Sequence, residues 1–224
     1  NQIRELALTH RVVSLDLRGH GHSGDNEETI TINLLAEDLA GLLDHLEIER
    51  VHLCGLSMGG LIALEFYKLY PGKVRSLILA NTFANIPEPH RTLNLQQWLE
   101  MLDELSMEEY GKIFALNCLS KQVSAETYMQ VAEMFGNNRK APYQQALIAV
   151  YSADYTNLLP LIKVPVLVIT GELDKNAPLS FAQKLADNIK NSRLVVLKNA
   201  GHLSNLEQPA EFNTVLKNFM EEVK

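Results

Sequence analysis

The chain is poor in cysteine, poor in basic residues and has no long uninterrupted apolar run. Of its 224 residues only Cys54 and Cys118 are cysteines. Two thiols supply no disulfide framework, and Cys54, set in an apolar stretch, reads as a small buried side chain. The formal net charge of −7 excludes the basic face that binding a nucleic-acid backbone demands. It also means that an anionic substrate must be met by local cations, because the overall field repels it. No apolar stretch reaches the length needed to cross a bilayer, and no signal peptide is recognisable. These absences lead us to expect a cytoplasmic protein without membrane or nucleic-acid partners. Internal repeats and low-complexity tracts are missing too.

What is present is a chain with 46% hydrophobic residues, enough for a large core in one domain. Strand-like and helix-like stretches alternate along it. Arg11–Leu17 (RVVSLDL), Val51–Cys54, Val74–Ala80, Val164–Thr170 and Arg193–Leu197 are short, apolar and rich in β-branched residues. Between them, Ile32, Leu35, Leu39, Leu42, Leu43 and Leu46 recur at helical spacing. Pro178–Ile189 reads as another helix. Pro209 suits the first turn of a last one, whose Phe212, Val215, Leu216, Phe219 and Val223 share a face. Such alternation predicts a mostly parallel sheet flanked by helices. From about Ile86 to Leu159 the rhythm breaks into helix alone. Residues 86–159 are therefore expected to form a helical cap, inserted between core strands of a core made of residues 1–85 and 160–224. The methionines and aromatics of this insertion (Trp98, Tyr110, Phe114 and Tyr143 among them) suit either an apolar pocket or the insertion's own core.

The chemistry concentrates in three places. Gly55-Leu56-Ser57-Met58-Gly59 lies between a strand and a helix, where glycines permit a turn sharp enough to lift a serine hydroxyl clear of the sheet. A serine hydroxyl is a weak nucleophile and needs a base, itself oriented by a third group. Asp174 follows the Val164–Thr170 strand and His202 follows the Arg193–Leu197 strand, so both fall at the sheet's carboxyl edge, where active sites gather. Glu172 is the rival acid, closer to its strand and expected to point elsewhere. His20 and His22 could suggest a metal pair, but no carboxylate or cysteine cluster accompanies them. No metal or cofactor is expected, since the serine–histidine–acid chemistry needs neither.

These motifs, with Asp16-Leu17-Arg18-Gly19-His20-Gly21-His22-Ser23 and Gly201-His202, resemble the α/β-hydrolase superfamily over nearly the whole chain. Two further stretches, Leu79-Ala80-Asn81-Thr82 and Ala200–Pro209, are similar to the 3-oxoadipate enol-lactonases. The resemblance implies Ser57 as nucleophile, Asp174 as acid, His202 as base and the Met58 backbone N–H as an oxyanion donor. It implies hydrolysis of a small ester or lactone through an acyl-enzyme. Arg91, Lys112, Lys121, Arg139 and Lys140 are the cations available to clamp a substrate carboxylate. Family members usually carry, ahead of the position of Asn1, a strand and a His-Gly loop donating a second oxyanion N–H. Without that strand, RVVSLDL and the Val51 strand are expected either to lose a partner or to pair directly. The competing readings are another hydrolase on the same triad (carboxylesterase, C–C bond hydrolase, perhydrolase), an addition–elimination lyase, a catalytically impaired fragment, or a binding module that keeps the fold.

Overall fold

The computed structural model describes residues 1–25 and 28–223. Four parallel strands form its sheet in the order β1-β2-β3-β4: β1 (Val51–Leu56), β2 (Val74–Ala80), β3 (Val166–Gly171) and β4 (Ser192–Leu197). Ten α-helices accompany them among the described residues. Short α1 (Gln2–Leu6) comes first, followed by α2 (Ile32–His45) and α3 (Met58–Leu69). Four helices, α4 (His90–Glu104), α5 (Met107–Cys118), α6 (Ala125–Gly136) and α7 (Lys140–Ser152), lie between β2 and β3 in the chain. The remainder are α8 (Leu179–Asn188), α9 (Ser204–Glu207) and α10 (Pro209–Glu222). None of the described helices is long and apolar enough to cross a membrane.

Side-chain alternation along the strands explains the layers. Leu77, Leu79, Val166 and Val168 join the core beneath α2, α3 and α8, while Ile78, Ala80, Leu167 and Ile169 pack against Phe212, Leu216 and Phe219 of α10. Both faces of the sheet are thus covered, which is why β3 is buried at every position. On α2 the buried residues Ile32, Leu35, Ala36, Leu39, Ala40 and Leu43 make one stripe, started by Thr31, whose hydroxyl caps the Leu34 N–H at 3.1 Å. In the inserted helices, Trp98, Tyr110, Phe114, Phe135 and Tyr143 pack against one another, mostly edge-on or tilted, with Phe114 and Phe135 ring centroids 4.3 Å apart. Those aromatics build the insertion's own core, whereas Met129 and Met134 are exposed.

Two expectations require correction. Arg11–Leu17 is not a strand: it pairs with no other segment of the sheet, and Val13 and Leu15 are exposed. Direct pairing with β1 is not seen either, so β1 is an edge strand. The segment instead borders a groove of about 910 Å³, shared with Leu35 and Leu42 of α2 and with Leu46 just after it. The physical reason is that a β-branched run only favours a pleated, half-buried surface; it becomes a strand when a partner accepts its hydrogen bonds. For the same reason Cys54, expected to be buried, is exposed on β1, while Cys118 is buried at the end of α5.

Leu35 has no exposed surface and belongs to the core that α2 shares with α3 and the sheet. Leu35→Ala is therefore expected to lower stability by about 2–5 kcal/mol, with the midpoint of urea unfolding falling at an unchanged slope.

Candidate functional site

Ser57 occupies the turn between β1 and α3 with φ +54° and ψ −118°, a backbone conformation that L-residues rarely adopt. Its surroundings hold it there. The Ser57 N–H donates to the Ala80 carbonyl at 2.9 Å, and the Ser57 carbonyl accepts from the Thr82 hydroxyl at 2.7 Å and the Gly60 N–H at 2.9 Å. A Cβ on Gly55 would lie 2.0 Å from the Gly59 carbonyl oxygen, and one on Gly60 would lie 2.5 Å from the Thr82 side chain. No larger residue fits at either position: Gly55 faces the Gly59 backbone and Gly60 the branched Thr82 side chain. Met58 is the first residue of α3, which leaves its N–H without an intrahelical acceptor and at the positive end of the helix dipole.

Asp174 and His202 arrive from the ends of β3 and β4. The Glu172 and Leu173 N–H groups donate to the Leu197 and Ala200 carbonyls at 2.9 and 2.8 Å, zipping the two loops together. Asp174 and His202 are 6% and 4% exposed. Asp174 Oδ1 accepts from the Asn176 and Ala177 N–H groups, both at 2.9 Å, and its Oδ2 lies 2.9 Å from His202 Nδ1. His202 Nε2 lies 2.9 Å from Ser57 Oγ. The carboxylate can only accept, so Nδ1 carries the proton and Nε2 turns a lone pair toward the serine hydroxyl. Three side chains far apart in the chain therefore form one hydrogen-bonded line at the carboxyl edge of the sheet.

One contributor is absent from the residues singled out by chemistry alone. Asn81, fully buried at the end of β2 with φ +47°, donates from Nδ2 to Asp174 Oδ2 at 2.8 Å and accepts from the Ser204 hydroxyl at 2.5 Å. It bridges the acid loop to the segment after His202. Its signal in the sequence was its place, immediately beyond a strand at the same edge as the others. Glu172 is exposed and accepts from the Asn199 N–H at 3.2 Å, serving the turn ahead of His202. His20 Nδ1 bonds to the Arg18 carbonyl at 3.0 Å. Among the described residues no group of three or more His, Cys, Asp or Glu is placed to hold a metal ion. The cations considered as clamps are mostly occupied: Arg91 pairs with Glu88, Lys112 with Glu108 and Arg139 with Asp25, and Lys140 donates to the Leu105 carbonyl. Lys121 is exposed.

Cys118 closes the site on the side of the inserted helices. Its carbonyl accepts the His202 N–H at 2.7 Å, and its Sγ lies 3.1 Å from Asn176 Nδ2. Burial pushes its thiol well above the ordinary range, and the nearby Asp174 carboxylate adds to the rise. It should stay a neutral thiol at pH 8: iodoacetamide is expected to leave Cys118 unmodified in the folded protein and to alkylate it after denaturation, as read by peptide mass.

Residues 2–215 match the model of the alpha/beta hydrolase family. Among curated proteins, 3-oxoadipate enol-lactonase 1 of Acinetobacter baylyi is 30% identical, over 100% of this chain and 83% of the relative. Among solved structures, the enol-lactonase of Burkholderia xenovorans LB400 superposes with a TM-score of 0.91 at 30% identity, covering 98% of this chain and 84% of that one. A thermophilic esterase from Thermogutta terrifontis gives 0.92 at 29% identity, covering 99% and 84%. A glycine-flanked serine at the strand–helix turn, a whole-chain family match and these relatives agree, and the chain belongs to the α/β-hydrolase family.

Proposed function

We propose that the protein is a serine hydrolase of carboxylic esters or lactones, with 3-oxoadipate enol-lactone as its substrate. One observation carries the reading: His202 stands 2.9 Å from Ser57 Oγ through Nε2 and 2.9 Å from Asp174 Oδ2 through Nδ1. That is the arrangement a general base needs to activate a serine hydroxyl. Support for the substrate comes from the enol-lactonase-like stretches around Asn81 and His202 and from the names of two relatives at 30% identity. A plain carboxylesterase is the second reading, favoured by the likeness to the Thermogutta esterase.

In the first step, His202 Nε2 takes the Ser57 proton while Oγ attacks the lactone carbonyl. The tetrahedral oxyanion is stabilised by the Met58 N–H at the start of α3. As the intermediate collapses, the C–O bond to the ring oxygen breaks and His202 protonates the departing enol oxygen. The enol relaxes to a ketone. Water then attacks the acyl-serine, giving a proton to His202 that passes to Ser57 Oγ as it leaves. Asp174 keeps the imidazole in the tautomer that both steps use and stabilises its cationic form. The inserted helices, which reach His202 through Cys118, serve as the cap that decides which acyl groups fit.

A fluorophosphonate probe is expected to label wild-type protein at Ser57 and to leave Ser57→Ala unlabelled; a folded wild type that takes no label would overturn the reading. Asp174→Asn should lower kcat by about 10⁴-fold with the fold intact by circular dichroism. Turnover of an enol-lactone should exceed that of simple aryl acetates in kcat/KM, and the reverse order would favour the esterase.

A further inference from the structure

Glu207, at the end of α9, takes no part in the chemistry just described, yet its carboxylate divides between two separate parts of the chain. Oε1 accepts the Gly201 N–H at 2.9 Å, and Oε2 accepts the Ser120 N–H at 2.9 Å. Gly201 directly precedes His202, and Ser120 lies in the turn between α5 and α6 of the inserted helices. The two backbones are nearly in contact. A Cβ on Gly201 would lie 2.6 Å from the Cys118 carbonyl oxygen, 2.9 Å from Ser120 N and 2.9 Å from Glu207 Oε1. The same turn accepts the His202 N–H through Cys118 at 2.7 Å. Leu203 continues the contact by packing with Ala115, Cys118, Val131 and Ala132.

A carboxylate suits this place better than any neutral side chain. It offers an acceptor oxygen to each of two N–H groups on different elements, and hydrogen bonds to an ionised group are stronger than neutral ones. An amide would have one acceptor oxygen and would turn N–H groups against the other donor. Cutting the Gly201 bond frees the residue adjoining the imidazole, and cutting the Ser120 bond frees the turn that holds the His202 backbone. Either change displaces Nε2 relative to Ser57 Oγ, where misplacement by an ångström is enough to cost about 10²-fold in rate.

We propose that Glu207 is a positioning residue: it clamps the 118–120 turn of the inserted helices to the His202 loop, so that the seating of those helices sets the imidazole against Ser57. The proposal rests on the serine-hydrolase reading above. Glu207 acts through the His202 backbone, so its loss should fall on turnover and spare the binding of a small ester.

The test is steady-state kinetics on a short aryl acetate for wild type, Glu207→Ala and Glu207→Gln, with competent sites counted by fluorophosphonate titration. Glu207→Ala is expected to lower kcat per titrated site by about 10²-fold with KM little changed. Glu207→Gln, which keeps one acceptor, should be intermediate and stay folded, so partial recovery by the conservative variant is part of the expected result. Amide hydrogen exchange should quicken at Gly201 and Ser120 in the glutamine variant and stay unchanged in α10. Both variants with wild-type kcat per titrated site, whatever their melting temperature, would overturn the clamp and leave the hydrolase reading standing. A loss confined to KM would overturn it as well. A folded wild type that takes no label would defeat the hydrolase reading and the clamp with it.

Discussion

The site is organised around one strained residue. Ser57 holds φ +54° because strand β1 must turn at once into helix α3, and two hydrogen bonds to β2 and its following loop, with a third from Gly60 of α3, hold the strained backbone in place. Gly55 and Gly60 supply the close approach that this turn requires, one against Gly59 and the other against Thr82. Relaxing the turn would lower the hydroxyl toward the sheet, aim the Met58 N–H elsewhere and separate the serine from His202. The neighbouring strands β2 and β3 are almost wholly buried, and β2 with its following loop supplies the carbonyl and hydroxyl that hold the turn.

Around that residue, the loops after β2, β3 and β4 are tied to one another more than to solvent. Asn81 joins the acid loop to the segment after His202, and Glu172 steadies the turn before it. Asp174 accepts two backbone N–H groups as well as the imidazole, so its carboxylate has little freedom to rotate. The inserted helices enter this network through backbone atoms of Cys118 and Ser120. The inserted helices and the His202 loop thus share one hydrogen-bonded network.

Patterns that repeat over a helical turn or a strand pair were readable along the chain. The α2 stripe, the β2 and β3 runs and the Pro209 start of α10 lie where periodicity put them, because a buried face imposes its period on the residues that line it. Arg11–Leu17 was misread for the complementary reason: its composition favours a strand, but strand formation depends on a neighbour that no local pattern reveals. The exposure of Cys54 follows from the same open edge.

By itself the sequence determined the order of the four strands of the sheet, the family to which the chain is akin, and which serine, aspartate and histidine fall beyond strand ends. Those features are local, each written in a few adjacent residues. Only the tertiary structure decided that His202 reaches both Ser57 and Asp174, that Asn81 and Glu207 join separate loops, and that Arg91, Lys112 and Arg139 are already paired. Such contacts join residues up to 145 positions apart. They exist only when the sheet brings its strand ends to one edge, because a hydrogen bond depends on distance in space and carries no trace in the spacing along the chain.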